Sequence, residues 1–348
     1  LVMADARFIA PGAVQTGQYL IEAAAYIVAT GSRPVVPKAL TCLSDRILTT
    51  DSLFELEALP QRMGILGLGA IGLELGLALS RLDVQVIAAD QRDVIGGIVD
   101  PQVQARAQER FAKELPMWLG APVEISAPSH GMRMRQGDRS ASVDRLLVVA
   151  GRTPNTEALD LAAAGISLDD LGRPRIDPLT MRAGDMPVFF AGDVQPDRPL
   201  MHEAADEGQL AAQAAMASLR GEIWRGAARR VPITILFTDP DVCSVGLSYE
   251  AAQQRGAIVG VAEGGANGRS KILGAPENLL RIYAAADTGT LLGASMLLTH
   301  GEHVAHLLAW AIQARQSIND LLEMPYYHPS IEEMLQSALK SAALQLKS

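Results

Sequence analysis

Residues 62–90, RMGILGLGAIGLELGLALSRLDVQVIAAD, decide how this chain folds. The apolar run at 63–66 reads as a strand and stops at Gly67; Gly67, Gly69 and Gly72 then form G-x-G-x-x-G at the head of an apolar helix. The first glycine permits a tight turn, the second lets a pyrophosphate approach the backbone, and the third lets helix and strand pack closely. The helix N-terminus, entered through Ala70 and Ile71, favours phosphate charge. A second strand ends at Asp90, twenty-three residues after Gly67. An acid there can accept hydrogen bonds from both hydroxyls of an adenosine ribose and repels a 2′-phosphate, so NAD(H) is expected over NADP(H). Arg92 stands close enough to soften that preference. The glycine motif alone is weak, and the competing reading is a packing turn with an incidental surface acid. The strand before it and the helix after it favour the nucleotide.

The rest of the chain frames this unit. Its 348 residues suffice for two or three cores, and 49% hydrophobic with 20% charged residues is an ordinary globular composition. A formal net charge of −9 argues against nucleic acid and anionic membranes as partners, since both need clustered Lys and Arg. No run of about eighteen uncharged apolar residues occurs, so no membrane span is expected. The opening LVMADARFIAPG carries charge early and has no apolar signal core. Two cysteines give no disulfide framework, which fits a reducing compartment and makes the cytoplasm the default.

Outward from the glycine loop, YIVATGSRP (26–34) and LLVVAGRTPN (146–155) share one design, an apolar strand stopped by Gly with a basic residue and Pro beyond, and suggest two related nucleotide-binding sheets. Residues 51–60 look like a short helix and linker, and PQVQARAQERFAKEL from Pro101 reads as a second helix. GMRMRQGDRSASVDRLLVVAG (131–151) alternates around Gly137-Asp138, like a hairpin returning into the sheet, with the charges of RMRQGDR on a solvated face. VFFAGD precedes a helix at about 202–219. Beyond Val231, strands joined at Asp287-Thr288-Gly289 and helices at about 302–315 and 329–346 form a separate α+β module.

The motifs ATGSRP, GLGAIGLE, GRTPN, AGD, HEAADEG and HPSIEE occur in that order over nearly the whole chain. Together they closely resemble the pyridine nucleotide–disulfide oxidoreductases, and the dihydrolipoamide dehydrogenase branch most. The resemblance implies an α/β fold: a Rossmann-like NAD-binding domain at 61–151, inserted in the second half of an FAD-binding domain at 1–60 and 152–228, and a C-terminal α+β dimerisation domain at 229–348. It implies that Thr30, Gly31, Gly192 and Asp193 line the FAD site, Asp193 bonding the ribityl chain, with Leu200, Met201 and His202 under the flavin ring. Gly151 and Glu74 match positions near bound NAD. His328 and Glu333 match the catalytic base and the carboxylate that orients it. The implied reaction passes electrons from dihydrolipoamide through FAD to NAD⁺. The implied partners are a small dithiol or disulfide substrate, with a lipoyl domain as its carrier, and a second copy of the chain whose disulfide the base serves.

The residues themselves support the base. The position before Pro is pushed out of the α region and Pro329 suits a first helical turn, so His328 can fold back over Glu333, which would hold its tautomer. The plainer alternative is a histidine that packs or caps. Cys42 and Cys243 are isolated and read as packing residues; the family's C-x4-C disulfide and first flavin glycine motif are expected ahead of Leu1, and the 348 residues alone to lack flavin and disulfide reductase activity. His300, His303 and His306 form H-x2-H-x2-H, read as a packed or partner-facing helix because no further ligand completes a zinc site. Asp90 weighs against glutathione reductases, and the terminal QLKS against mercuric reductases. Soluble transhydrogenases stay open, as does a redox-dead dimeric NAD-binding module. Tyr326, Ser330 and Arg281 depart from common family residues.

Overall fold

Arg62–Leu66 is the central strand of a five-stranded parallel sheet. The order is Ile47–Leu48, Arg145–Val148, Arg62–Leu66, Gln85–Ala89, Met117–Trp118. The computed structural model describes residues 1–127, 131–170 and 172–346. Met63, Gly64 and Ile65 are all buried, as a strand covered on both faces requires. Helices Ala70–Arg81 and Pro101–Phe111 pack Leu73, Leu77, Val103 and Phe111 with Met63 and Ile65. Met134, Val143, Leu146 and Val148 share a separate cluster.

The hairpin Met132–Gln136/Arg139–Val143 does not enter that sheet. It pairs with Glu124–Ser126 in a three-stranded antiparallel sheet of its own, and the chain rejoins the parallel sheet only at Arg145. The alternation explains this: Met132, Met134 and Gln136 are buried while Arg133 and Arg135 face solvent, which no strand buried on both faces could satisfy. The terminal Lys347 and Ser348 lie outside the described residues.

The chain divides into two units, Leu1–Val35 with Gly151–Arg229 and Val36–Ala150 with Arg230–Ser348. The boundary expected at residue 60 falls inside the second, because Ile47–Leu48 pairs in parallel with Leu146–Leu147. The same unit contains a five-stranded antiparallel sheet, ordered Ile233–Leu236, Asp241–Gly246, Leu291–Leu298, Leu279–Ala284, Ile258–Glu263. Helices Gly301–Gln313 and Glu333–Ala343 cover one face through Val304, Leu308, Met334, Leu335 and Leu339. Leu236, Val242, Leu279 and Leu297 join the core of the parallel sheet. Asp100 fastens the two sheets: Oδ1 caps Pro101–Phe111 through the N–H groups of Gln102 and Val103, while Oδ2 accepts from Arg281 Nε and Tyr283 OH, each at 2.7 Å.

In the first unit, Tyr26–Val28 pairs in parallel with Val188–Phe190, and Ala6–Ala10, Ala13–Thr16 and Tyr19–Glu22 form an antiparallel meander. Phe189 and Phe190, on opposite faces of their strand, fill separate clusters, so the strand is buried on both sides. The two similar strand ends thus belong to different sheets, yet the segments that follow them meet: Ser32–Pro34 and Arg152–Pro154 form an antiparallel pair. No described helix is long and apolar enough to cross a membrane.

Candidate functional site

The glycine loop is built by backbone contact. Gly67 has φ of 106°, and a Cβ on it would stand 2.6 Å from Val149 O. A Cβ on Gly72 would stand 1.9 Å from Gly67 O. Gly69, by contrast, has open space where a side chain would be, and it ends the helix Ala70–Arg81 without any side-chain cap. Two glycines therefore close the turn and the third leaves its helix end accessible, a shape that admits a pyrophosphate.

Asp90 is 5% exposed and braces this loop. Leu68 N–H donates to Oδ2 at 2.8 Å and Arg92 N–H to Oδ1 at 2.9 Å. The Arg92 guanidinium reaches both oxygens at 3.3 Å from a side chain that is 61% exposed. Burial pushes the carboxyl up, but Arg92 and the two backbone donors outweigh it and hold it below the usual range. Glu74, on the following helix, accepts Phe237 N–H at 2.7 Å from the C-terminal module. Ile71 is exposed and Ala70 half-buried at the helix start.

In the other unit, Thr30 and Asn155 bond each other's segments twice: Thr30 Oγ1 donates to Asn155 O at 2.8 Å and Asn155 Nδ2 to Thr30 O at 2.9 Å. Gly31 and Gly151 take φ of 68° and 134°, beside that pair. Ser32 Oγ donates to Asp193 Oδ2 at 3.1 Å. Gly192, with φ of 79°, donates its N–H to Glu207 Oε2 at 2.8 Å. Glu207 is buried, and burial pushes it up despite Gly192 and Arg229, whose NH2 lies 2.7 Å from Oε1. Sequence reasoning did not assign Glu207 or Arg229 a part; a buried acid spaced fifteen residues from a glycine leaves no local signal. Leu200 precedes the helix Met201–Leu219, and Met201 and His202 stand exposed on its first turn.

His328 and Glu333 meet in the second unit. His328 Nδ1 lies 2.9 and 3.1 Å from the two Glu333 oxygens, and Ser330 N–H donates to Oε2 at 3.0 Å. An ionised carboxylate only accepts, so Nδ1 carries the proton and Nε2, in a side chain that is 77% exposed, is left as the base. Ser330 N–H first, then His328, hold the Glu333 carboxyl below the usual range. The route to this geometry differs from the expected one. Pro329 is not in a first helical turn: the His328-Pro329 bond is cis and the helix runs Glu333–Ala343. A turn at 328–332, rather than the helix, folds the imidazole over Glu333.

Buried polar groups hold that turn, and none was foreseen. Asn267 Nδ2 donates to Ser330 O at 3.2 Å, its Oδ1 accepts Ser270 N–H at 2.7 Å, and Asn278 Nδ2 donates to Ser270 Oγ at 3.0 Å. Ser270 and Asn278 are fully buried, where an unpaired amide would be costly. Cys42 is exposed, Cys243 is buried in the C-terminal sheet, and both are free thiols.

A glycine-loop α/β nucleotide fold joined to an antiparallel module bearing a carboxylate-oriented histidine defines a nucleotide-dependent oxidoreductase class. Residues 1–208 match the family model described as pyridine nucleotide-disulphide oxidoreductase, and 232–339 match that family's dimerisation domain. The chain belongs to the pyridine nucleotide–disulphide oxidoreductases. It is 29% identical to the dihydrolipoyl dehydrogenase of Halobacterium salinarum, over 94% of this chain and 69% of the relative. It is also 29% identical to that of Thermus scotoductus, over 98% and 75%. Among solved structures, LpdA from Mycobacterium tuberculosis superposes with a TM-score of 0.84 at 24% identity, covering 97% of this chain and 76% of the other. The HOCl-induced flavoprotein disulfide reductase RclA of Escherichia coli gives 0.83 at 22%, covering 99% and 79%. At those identities the structures show a shared fold.

Proposed function

We propose that the intact gene product is a dihydrolipoamide dehydrogenase: dihydrolipoamide and NAD⁺ are converted to lipoamide, NADH and a proton, in a homodimer that uses FAD. The observation that carries this reading is the His328–Glu333 pair, at 2.9 Å, with an exposed Nε2. Nε2 takes a proton from a substrate thiol, and Glu333 stabilises the imidazolium that results. The thiolate is the form that attacks a disulfide. Cys42 and Cys243 are free thiols, so neither supplies the C-x4-C disulfide that the reading expects.

The open face of Gly69 and the uncapped helix end it begins support a nucleotide site there. NAD would rest its pyrophosphate on Gly69 and the uncapped helix end, with Ala70, Ile71 and Gly72 supplying the first turn, its ribose on Asp90, and its nicotinamide near Glu74. Thr30, Gly31, Gly192 and Asp193 would hold the ribityl portion of FAD, with Leu200, Met201 and His202 against its ring. When bound, the two cofactors supply the two-electron transfer. Asp90 already accepts four hydrogen bonds, as many as a carboxylate takes, so ribose hydroxyls must displace the Arg92 guanidinium. The 28–29% identity of the dihydrolipoyl dehydrogenases over 94–98% of the chain supports lipoamide as the substrate. The test is dihydrolipoamide-dependent NADH formation by the gene product. NADH oxidation with another disulfide, but none with lipoamide, would reassign the substrate.

A further inference from the structure

The start of helix Gly301–Gln313 gathers three ligand-type side chains remote in sequence from the His328 turn. Ligand atoms of His300, Glu302 and His303 all lie within 4.8 Å of one another. The imidazoles of His300 and His303 are nearly parallel, with centroids 6.2 Å apart, and His303 Nε2 is 3.5 Å from Glu302 Oε1. His306, the third histidine of the H-x2-H-x2-H run, is not in this group: its Nδ1 is 2.7 Å from Glu302 O.

Two further observations set the cluster apart from an ordinary polar helix start. Glu302 Oε2 is buried beside Asp241, with whose carboxyl Glu302 shares a side-chain hydrogen bond. His300 adopts a left-handed conformation, φ 56° and ψ 37°, which costs about 1 kcal/mol or more for a residue with a side chain. Gly301 beside it is buried, and a Cβ there would stand 3.1 Å from Cys243 Sγ, so the backbone packs closely at that point. The left-handed turn packs against the strand Asp241–Gly246, and Asp241 Oδ2 accepts Glu302 N–H at 3.4 Å.

We propose that His300, Glu302 and His303 bind a divalent transition-metal ion, Cu(II) more tightly than Zn(II). Two imidazoles and one carboxylate are donors that copper and zinc both accept, and at such a site copper binds more strongly. The exposed positions of both histidines leave the remaining coordination sites to water or an external ligand. Rotamer adjustment of the two exposed rings closes the donor atoms onto one ion.

The test uses the full chain carrying Cys42→Ser, which removes the exposed thiol that Cu(II) would oxidise. Cu(II) and Zn(II) are titrated calorimetrically against a weak competing chelator, and the one-equivalent Cu(II) form is examined by electron paramagnetic resonance. One site is expected, with coupling to two imidazole nitrogens. His300→Asn, which keeps a residue tolerant of the left-handed conformation, and His303→Gln should each weaken Cu(II) binding about tenfold or more and remove one nitrogen. His306→Gln should leave affinity unchanged. Several equivalent weak sites, binding indifferent to His300→Asn with His303→Gln, or equal sensitivity to His306→Gln would overturn the proposal.

Discussion

Gly72→Ala and Gly69→Ala, three residues apart in one loop, should fail in opposite ways. The Cβ added at Gly72 meets Gly67 O at 1.9 Å, Gly67 C at 3.0 Å and Val149 Cγ2 at 3.1 Å. A carbonyl of the adjoining turn cannot swing aside as a side-chain tip can, so the loop or the helix must move. Overpacking of a close-packed interior costs about 1–3 kcal/mol, and contact with backbone puts this site near about 3. For a unit of this size that corresponds to a fall of about 6–12 °C in Tm. The Cβ added at Gly69 meets nothing within 4 Å, and its φ of −66° suits alanine, so only the lost helix-cap preference remains, about 1 kcal/mol or less. It does fill the approach to the helix end, so NADH should bind about tenfold or more weakly. Calorimetric melting gives the first quantity and NADH titration the second. Equal loss of Tm in both variants, or NADH affinity retained in Gly69→Ala, would refute this division of labour.

Arg92→Ala frees the Asp90 carboxylate, so NADH should bind more tightly and NADPH more weakly; titration with both nucleotides reads the two signs. Asp100→Ala leaves Arg281, 4% exposed, without its Oδ2 partner and removes the acceptor of Tyr283 OH; breaking such a buried pair costs about 3–5 kcal/mol, measured by chemical denaturation. The Glu333 carboxyl is held below its ordinary 4.5, so its contribution is present above that pH and fades as pH falls through the lower folded value. Carbon-detected NMR should therefore titrate Glu333 below 4.5. In His328→Gln the midpoint should rise but stay depressed, because the Ser330 N–H is the larger cause.

Much of this was legible in the chain because local pattern and local structure coincide there. The loop at 67–72 sits between strand and helix, and its spacing reports close packing directly. The alternation in Met132–Gln136 announced a strand with one dry face; the error was to place it in a sheet that is dry on both. The His328–Glu333 contact was read from the family resemblance and from the restriction a proline places on the residue before it, while the start of the helix was misjudged by four residues, at 329 instead of Glu333. What stayed hidden depends on partners distant in sequence. Asp100 and Arg281 are separated by 181 positions, Asn267 and Ser330 by 63, and nothing in either neighbourhood names the other. His300, Glu302 and His303 were visible as letters, but the left-handed turn at the first of them was not.

The most direct measurement is dihydrolipoamide-dependent NADH formation by the gene product, before and after His328→Gln. A general base acting at the substrate thiol contributes about 10²–10⁴-fold, so kcat/KM for dihydrolipoamide should fall by that factor while NADH affinity holds. A variant that keeps its rate within about tenfold would show that the imidazole moves no proton in the reaction.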